Sequence, residues 1–131
     1  MENLIIESTQ STPFIRFDST RRTMEIKGES YPENAAGFYE PVLKWLEIFM
    51  EKMDIDSTAS MNIEMIYFNS SSSKALMNIF DMLEDSALEG KKVVVNWYFD
   101  KDNDAAQEYG EEFKEDVESI TFNLVQLKEE V

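Results

Sequence analysis

The segment that most constrains this chain lies between Met61 and Leu83. An apolar, β-compatible run from Met61 to Phe68 passes through Asn69 and four consecutive serines into Ala75, Leu76, Ile79, Phe80 and Leu83 at helical spacing. A strand that feeds directly into a helix needs another element to return the chain, so this junction already favours an α/β arrangement. The flanking sequence repeats the alternation. Glu89-Gly90 is a plausible helix stop, and Val93 to Phe99 is nearly all apolar, as expected of a central strand covered on both faces. Asp100 to Asp104 reads as a polar turn. Ala106, Tyr109, Phe113 and Val117 mark a further helix, and Ile120, Phe122, Leu124 and Leu127 a final strand.

Upstream, Phe14 to Phe17 and Thr23 to Lys27 are short β-type runs joined by the polar turn Asp18 to Arg22, which predicts a hairpin. After a break from Gly28 to Asn34, the apolar residues Phe38, Val42, Trp45, Leu46, Phe49 and Met53 predict a helix. Pro41 either opens that helix or kinks one begun near Asn34. The order hairpin, helix, strand, helix, strand, helix, strand predicts a mixed β-sheet of about five strands with about three helices, with right-handed crossovers between the parallel strands. At 131 residues, with no repeat or linker, the chain is expected to be one domain spanning 1–131. Met50, Met53, Met61, Met65, Met77 and Met82 fall in or beside the apolar stripes and are expected in the core.

The formal charge of −15 is spread along the chain and repels phosphate backbones and anionic headgroups, which excludes nucleic acid and membrane surfaces as natural partners and favours basic protein surfaces. The N-terminus lacks a basic n-region and no apolar run approaches a membrane span, so a cytoplasmic location is expected. There is no Cys and no His, which removes thiol nucleophiles, the usual zinc ligands and the commonest general base near neutral pH. With no Gly-rich phosphate loop either, the chain is expected to be a binding protein without cofactor or metal, not an enzyme.

The serine run carries the most chemistry. Its plain reading is a helix cap, in which one side chain accepts a hydrogen bond from a free backbone N–H. One residue suffices for a cap, and Asn69 to Ser73 supplies five. An exposed hydroxyl there can also accept a phosphoryl group, whose charge suits a helix N-terminus. A competing reading is a hydrolase using one of these serines with Lys74 or a carboxylate, but no Gly-x-Ser-x-Gly elbow surrounds them. Asp100, Asp102, Asp104 and Glu111 fit parts of a calcium-loop spacing, but Ala105 stands where that loop requires Gly, and an acidic turn capping a helix explains the same residues.

The order of elements and the strand-Asn-Ser-Ser-helix junction resemble the anti-sigma factor antagonist (STAS) fold. More closely, Thr9 to Pro13, Gly28-Glu29-Ser30-Tyr31-Pro32-Glu33-Asn34 and Tyr67-Phe68-Asn69-Ser70-Ser71-Ser72 resemble the SiaC family of regulatory phosphoproteins, with weaker likeness at Trp97 to Asp100 and Glu111 to Asp116. The resemblance implies a STAS-like fold and a phosphoacceptor directly after the Asn, which is Ser70 here, with Ser71 and Ser72 as alternatives. It further implies that the unphosphorylated protein binds and activates a diguanylate cyclase, in cyclic-di-GMP signalling that controls biofilm or aggregation. A protein kinase and a protein phosphatase would set its state. Asn69, Ser71, Lys74, Tyr31, Glu33 and Asn34 are then candidates for partner contact. A partner-switching antagonist of an anti-sigma factor is the alternative that the same fold allows.

Overall fold

A computed structural model describes residues 1–128. In chain order these hold β1 (Leu4–Ile6), β2 (Phe14–Asp18), β3 (Thr23–Ser30), α1 (Ala35–Lys52), β4 (Thr58–Phe68), α2 (Ser70–Leu88), β5 (Lys92–Phe99), α3 (Asp104–Glu115) and β6 (Thr121–Gln126). The strands form one sheet in the order of the sequence, antiparallel from β1 to β3 and parallel from β3 to β6. Because the strand order never reverses, crossovers of one hand bring all three helices to the same face.

Burial follows from that one-sidedness. Ala59, Met61, Ile63 and Met65 of β4 and Val93, Val95, Trp97 and Phe99 of β5 are buried under the helices. Their neighbours Asn62, Glu64, Val94, Asn96 and Tyr98 point to the other, open face and keep part of their surface in water. β5 is therefore an inner strand covered on one face only, which corrects the expectation of cover on both. On the open face Asn62, Asn96 and Asn123 stand in register and form an amide ladder, with Nδ2 to Oδ1 distances of 2.9 and 3.0 Å.

The sixth strand is β1, too short at three residues to leave a periodic signature in sequence. It is tied on at long range, with the Trp45 indole donating to the Glu2 carbonyl at 2.8 Å. The start of α1 is also settled. Asn34 is the N-cap and Pro41 lies inside the helix, on its exposed side, where the Gly37 carbonyl left without an N–H partner can be hydrated.

One continuous core joins Tyr39, Val42, Leu46 and Phe49 of α1, Leu76, Ile79, Phe80 and Leu83 of α2 and Phe113 of α3 to the covered sheet face. At its α3 end Trp97 donates to the Ala106 carbonyl at 2.9 Å, and its ring lies so near Gly110 that a Cβ there would come within 2.5 Å of Cδ1. Five of the six methionines expected inside are buried or partly buried. Met77 is not: its position on α2 faces solvent and it is 44% exposed.

Two polar clasps close the helix ends. The Lys91 ammonium donates to the carbonyls of Met50 and Met53 at 2.6 Å each, where the α1 dipole is negative. The Glu84 carboxylate gathers the backbone N–H groups of Glu118, Ser119 and Ile120 at 2.9–3.2 Å. Partial burial pushes the Glu84 pKa up, but those N–H donors outweigh it and hold the carboxyl below its ordinary value of 4.5. A depressed pKa contributes stability above the unfolded value and loses it as pH falls through the folded one. Glu84→Gln is expected to cost about 1 kcal/mol near neutral pH, the carboxylate being partly solvent-screened. In urea unfolding across a pH series the gap to wild type should close below pH 4.5; a gap that persists in acid would contradict this role for the charge.

Candidate functional site

β3 and β4 are neighbouring parallel strands, so the two helices that follow them start side by side. Ser30, the last residue of β3, pairs in register with Phe68, the last of β4. One residue on, the Asn69 N–H donates to the Ser30 carbonyl at 3.0 Å. Asn34 caps α1 by accepting from the Gly37 N–H at 3.0 Å, and Asn69 caps α2 by accepting from the Ser72 N–H at 2.9 Å. The segments Ser30–Asn34 and Asn69–Lys74, distant in sequence, thus meet at the carboxyl edge of the parallel sheet, the usual ligand edge of α/β folds.

The four serines differ sharply once placed. Ser70 and Ser71 are exposed on the first turn of α2, and Ser73 is half-buried. Ser72 has no exposed surface, and its hydroxyl meets that of Ser30 at 2.7 Å. Ser30 in turn meets the Tyr39 hydroxyl at 2.8 Å, which completes a buried chain of three hydroxyls from α2 through β3 to α1. Ser72, expected as an alternative phosphoacceptor, is therefore closed to a partner enzyme in this fold, leaving Ser70 and Ser71 as the accessible candidates. Burial raises the Tyr39 pKa above 10.0, partly offset by the hydrogen bond with Ser30, so its phenol stays protonated.

Neither α1 nor α2 carries an acidic residue in its first turn, although the chain has 27 of them. α3 follows the commoner habit, with Asp104 at its start. Acidic side chains stabilise helix N-termini, and here none does so from within the first turn of α1 or α2; Glu33 stands just before the α1 cap. Between the two helices runs a groove of about 850 Å³, lined among others by Glu33, Asn34, Glu40, Ser71, Lys74 and Asn78.

The structure brings Glu33, Asn34, Ser71 and Lys74 into this groove, while Asn69 serves as the cap at its end. Tyr31 lies elsewhere. Its ring stands 5.9 Å from that of Tyr67, and Tyr67 is 54% exposed. Tyr67 faces outward because the β3–β4 register shifts between Gly28 and Glu29, so that Ile66 is an extra residue on β4 and Phe68 turns inward in place of Tyr67. No strand-period argument could have found Ile66 and Tyr67 together on the surface. Ser30 and Tyr39 were equally hidden, since a serine ending a strand and a tyrosine on an apolar helix stripe carry no signal of a shared bond.

The serine hydroxyl that the fold does hold, that of Ser72, is bonded to another hydroxyl and not to Lys74 or a carboxylate, an arrangement that supplies no general base. At the Asp100 to Asp104 turn, Asp100 accepts from the Asp102 N–H at 2.9 Å, and Asn103 caps α3 while donating to the Ile66 carbonyl. Among the described residues no three acidic side chains gather into a possible metal site. No helix of the described residues is long and apolar enough to cross a membrane.

Residues 6–127 match the family described as SiaC family regulatory phosphoprotein. The chain belongs to this family. An uncharacterized protein of Pseudomonas aeruginosa strain UCBPP-PA14 is 37% identical over 116 residues, covering 88% of this chain and 90% of the relative. The crystal structure of apo-SiaC from Pseudomonas aeruginosa matches with a TM-score of 0.83 at 32% identity, over 98% of this chain and all of that one. The crystal structure of the diguanylate cyclase SiaD in complex with its activator SiaC, also from Pseudomonas aeruginosa, matches with a TM-score of 0.88 at 35% identity, over 95% of this chain and 99% of that chain. The STAS-like mixed sheet is thus the SiaC fold, and this chain is a regulatory protein of the SiaC family.

The protonated Tyr39 gives this site a measurable signature. Tyr39→Phe is expected to cost about 1 kcal/mol at neutral pH by deleting the bond to Ser30. A folded pKa above the unfolded value means that the wild-type contribution is present below pH 10.0 and lost as pH rises further. Chemical unfolding above pH 10.0 should therefore show the variant and wild type converging; a constant gap would contradict the buried, protonated phenol.

Proposed function

We propose that this protein is a phosphorylation-switched activator of a diguanylate cyclase, acting in the cytoplasm in cyclic-di-GMP signalling and having no catalytic activity of its own. The whole chain, 1–131, acts as the single regulatory domain. Unphosphorylated, it docks on the cyclase through the edge where α1 and α2 begin. A kinase turns it off by phosphorylating Ser70 and a phosphatase restores it.

The observation that carries this reading is the likeness, over nearly its full length, to the SiaC that is the activator in the complex with SiaD. The placement of Ser70 supports the switch. It is exposed, it follows the cap Asn69, and it lies at a helix end kept free of acidic side chains. A phosphoryl group adds about −1.5 to −2 charges with three strongly hydrated oxygens. At a free helix end that charge is tolerated by the protein itself. At an interface it has to be desolvated, and a partner group seated over Ser70 has to leave. The same group that the free protein accommodates therefore opposes docking.

Ser71 and Lys74 on α2, with Glu33 and Asn34 before α1, border the position that the phosphoryl group would take and are the first-choice contact residues. Tyr31 belongs to the Ile66–Tyr67 side of the same edge and extends that surface.

The test is binding by titration calorimetry between this protein and a purified diguanylate cyclase of the same organism, using wild type, Ser70→Ala and Ser70→Asp. Wild type and Ser70→Ala should bind alike, and Ser70→Asp should bind at least about tenfold more weakly, a loss of about 1.4 kcal/mol, with an unchanged circular dichroism spectrum. Equal binding by all three would remove the switch from Ser70. Capture of an anti-sigma factor instead of a cyclase would move the protein to the partner-switching alternative.

A further inference from the structure

Ser30 holds the serine run at both ends. Its carbonyl accepts the Asn69 N–H at 3.0 Å, and its hydroxyl meets that of Ser72 at 2.7 Å. Asn69 and Ser72 are also bonded to each other through the cap, at 2.9 Å. The dipeptide between them, Ser70-Ser71, is consequently the only part of the first turn that projects outward, and Ser72 is withdrawn completely. Behind Ser30 stands Tyr39, 2.8 Å away and fully buried in the α1 face of the core, so the anchor does not move independently of the core.

We infer that Ser30, backed by Tyr39, is a positioning residue that decides which serine of the run is phosphorylated. The inference rests on the reading of Ser70 as a phosphoacceptor. Phosphoryl transfer forms a bond from the serine Oγ to the terminal phosphorus of a nucleoside triphosphate. The bond from that phosphorus to the bridging oxygen breaks, the nucleoside diphosphate departs and the hydroxyl proton passes to a base on the kinase. There is little covalent chemistry for the acceptor to contribute, so the rate depends on holding one hydroxyl in line with the phosphorus. Four adjacent serines present four chemically equal hydroxyls. The distinction among them has to come from geometry: Ser73 is half-buried, and Ser30 buries the Ser72 hydroxyl and fixes the turn that carries Ser70 and Ser71.

Removing the anchor removes the discrimination. In Ser30→Ala the Ser72 hydroxyl loses its partner, and the first turn of α2 keeps only the Asn69 cap and the backbone bond from the Asn69 N–H to the residue-30 carbonyl. In Ser72→Ala the same bond is lost with a smaller change to the core. Ser30→Thr keeps a hydroxyl at the anchor and serves as the conservative rescue.

The experiment expresses wild type, Ser30→Ala, Ser72→Ala and Ser30→Thr in the native organism, purifies each chain and maps phosphoserine by mass spectrometry, with thermal unfolding run in parallel. Wild type and Ser30→Thr should carry phosphate on Ser70 alone. Ser30→Ala and Ser72→Ala should show Ser70 occupancy lowered by about tenfold, with phosphate appearing on Ser71, and on Ser72 in Ser30→Ala. A purely structural role would lower the unfolding temperature and leave the site distribution untouched, and that result overturns the inference. Should Ser30→Ala fail to fold, Ser72→Ala decides by the same readout. Wild type carrying phosphate on another residue of the run, or on none of them, overturns the underlying reading of Ser70 as well, which separates that failure from failure of the anchor alone.

Discussion

The bond between the Ser30 and Ser72 hydroxyls is the constraint on which the site depends. It joins the end of β3 to the first turn of α2, and through Tyr39 it reaches the inner face of α1. All three groups are fully buried, and buried hydroxyls left without partners are costly, so the chain holds together as a unit. The exposed first turn of α2 is placed by it. Ser70 and Ser71 stand out because Ser72 is held in, and the groove between α1 and α2 has a fixed mouth because both helix starts are tied to neighbouring strand ends.

Charge gives that edge its distinctive character. A chain of net charge −15 could readily have placed Asp or Glu in the first turn of every helix, as it does at Asp104 of α3. α1 and α2 instead begin with neutral residues after asparagine caps. Asparagine satisfies the free N–H groups without cancelling the dipole, so the two helix starts remain a place where an added negative charge is accommodated. Under the proposed switch, a phosphoryl group at this surface would be tolerated by the free protein and would oppose docking, because its charge would have to be desolvated at the interface.

Much of this was legible in the sequence, for reasons that can be named. The run Met61 to Phe68 followed by Asn69 and the serines identified the strand-to-helix junction because strand periodicity, cap chemistry and helical spacing agree there. The resemblance to the SiaC family rested on the end of this run together with Thr9 to Pro13 and Gly28 to Asn34, with weaker likeness further on, and the match over residues 6–127 bears it out. What stayed hidden depended on contacts across the chain. β1 is three residues long and has meaning only beside β2. The extra residue at Ile66 changes which side chains face out, and alternation read through Tyr67 and Phe68 gives the opposite assignment. β5 reads as doubly buried because Val94 and Tyr98 are apolar, yet the strand order leaves its second face open. Ser72 looked equivalent to its neighbours, and only the approach of Ser30, 42 residues away in sequence, removes it from the surface.

Control of a cyclase by one exposed hydroxyl at the start of α2, as proposed, is open to direct test by product formation. The protein would be purified in its phosphorylated form from the native organism, half of it dephosphorylated with a phosphatase, and both halves added to the purified cyclase with GTP. The dephosphorylated half should raise the rate of cyclic-di-GMP synthesis, and the phosphorylated half should leave it at the level of the cyclase alone. Equal stimulation by the two halves would contradict it.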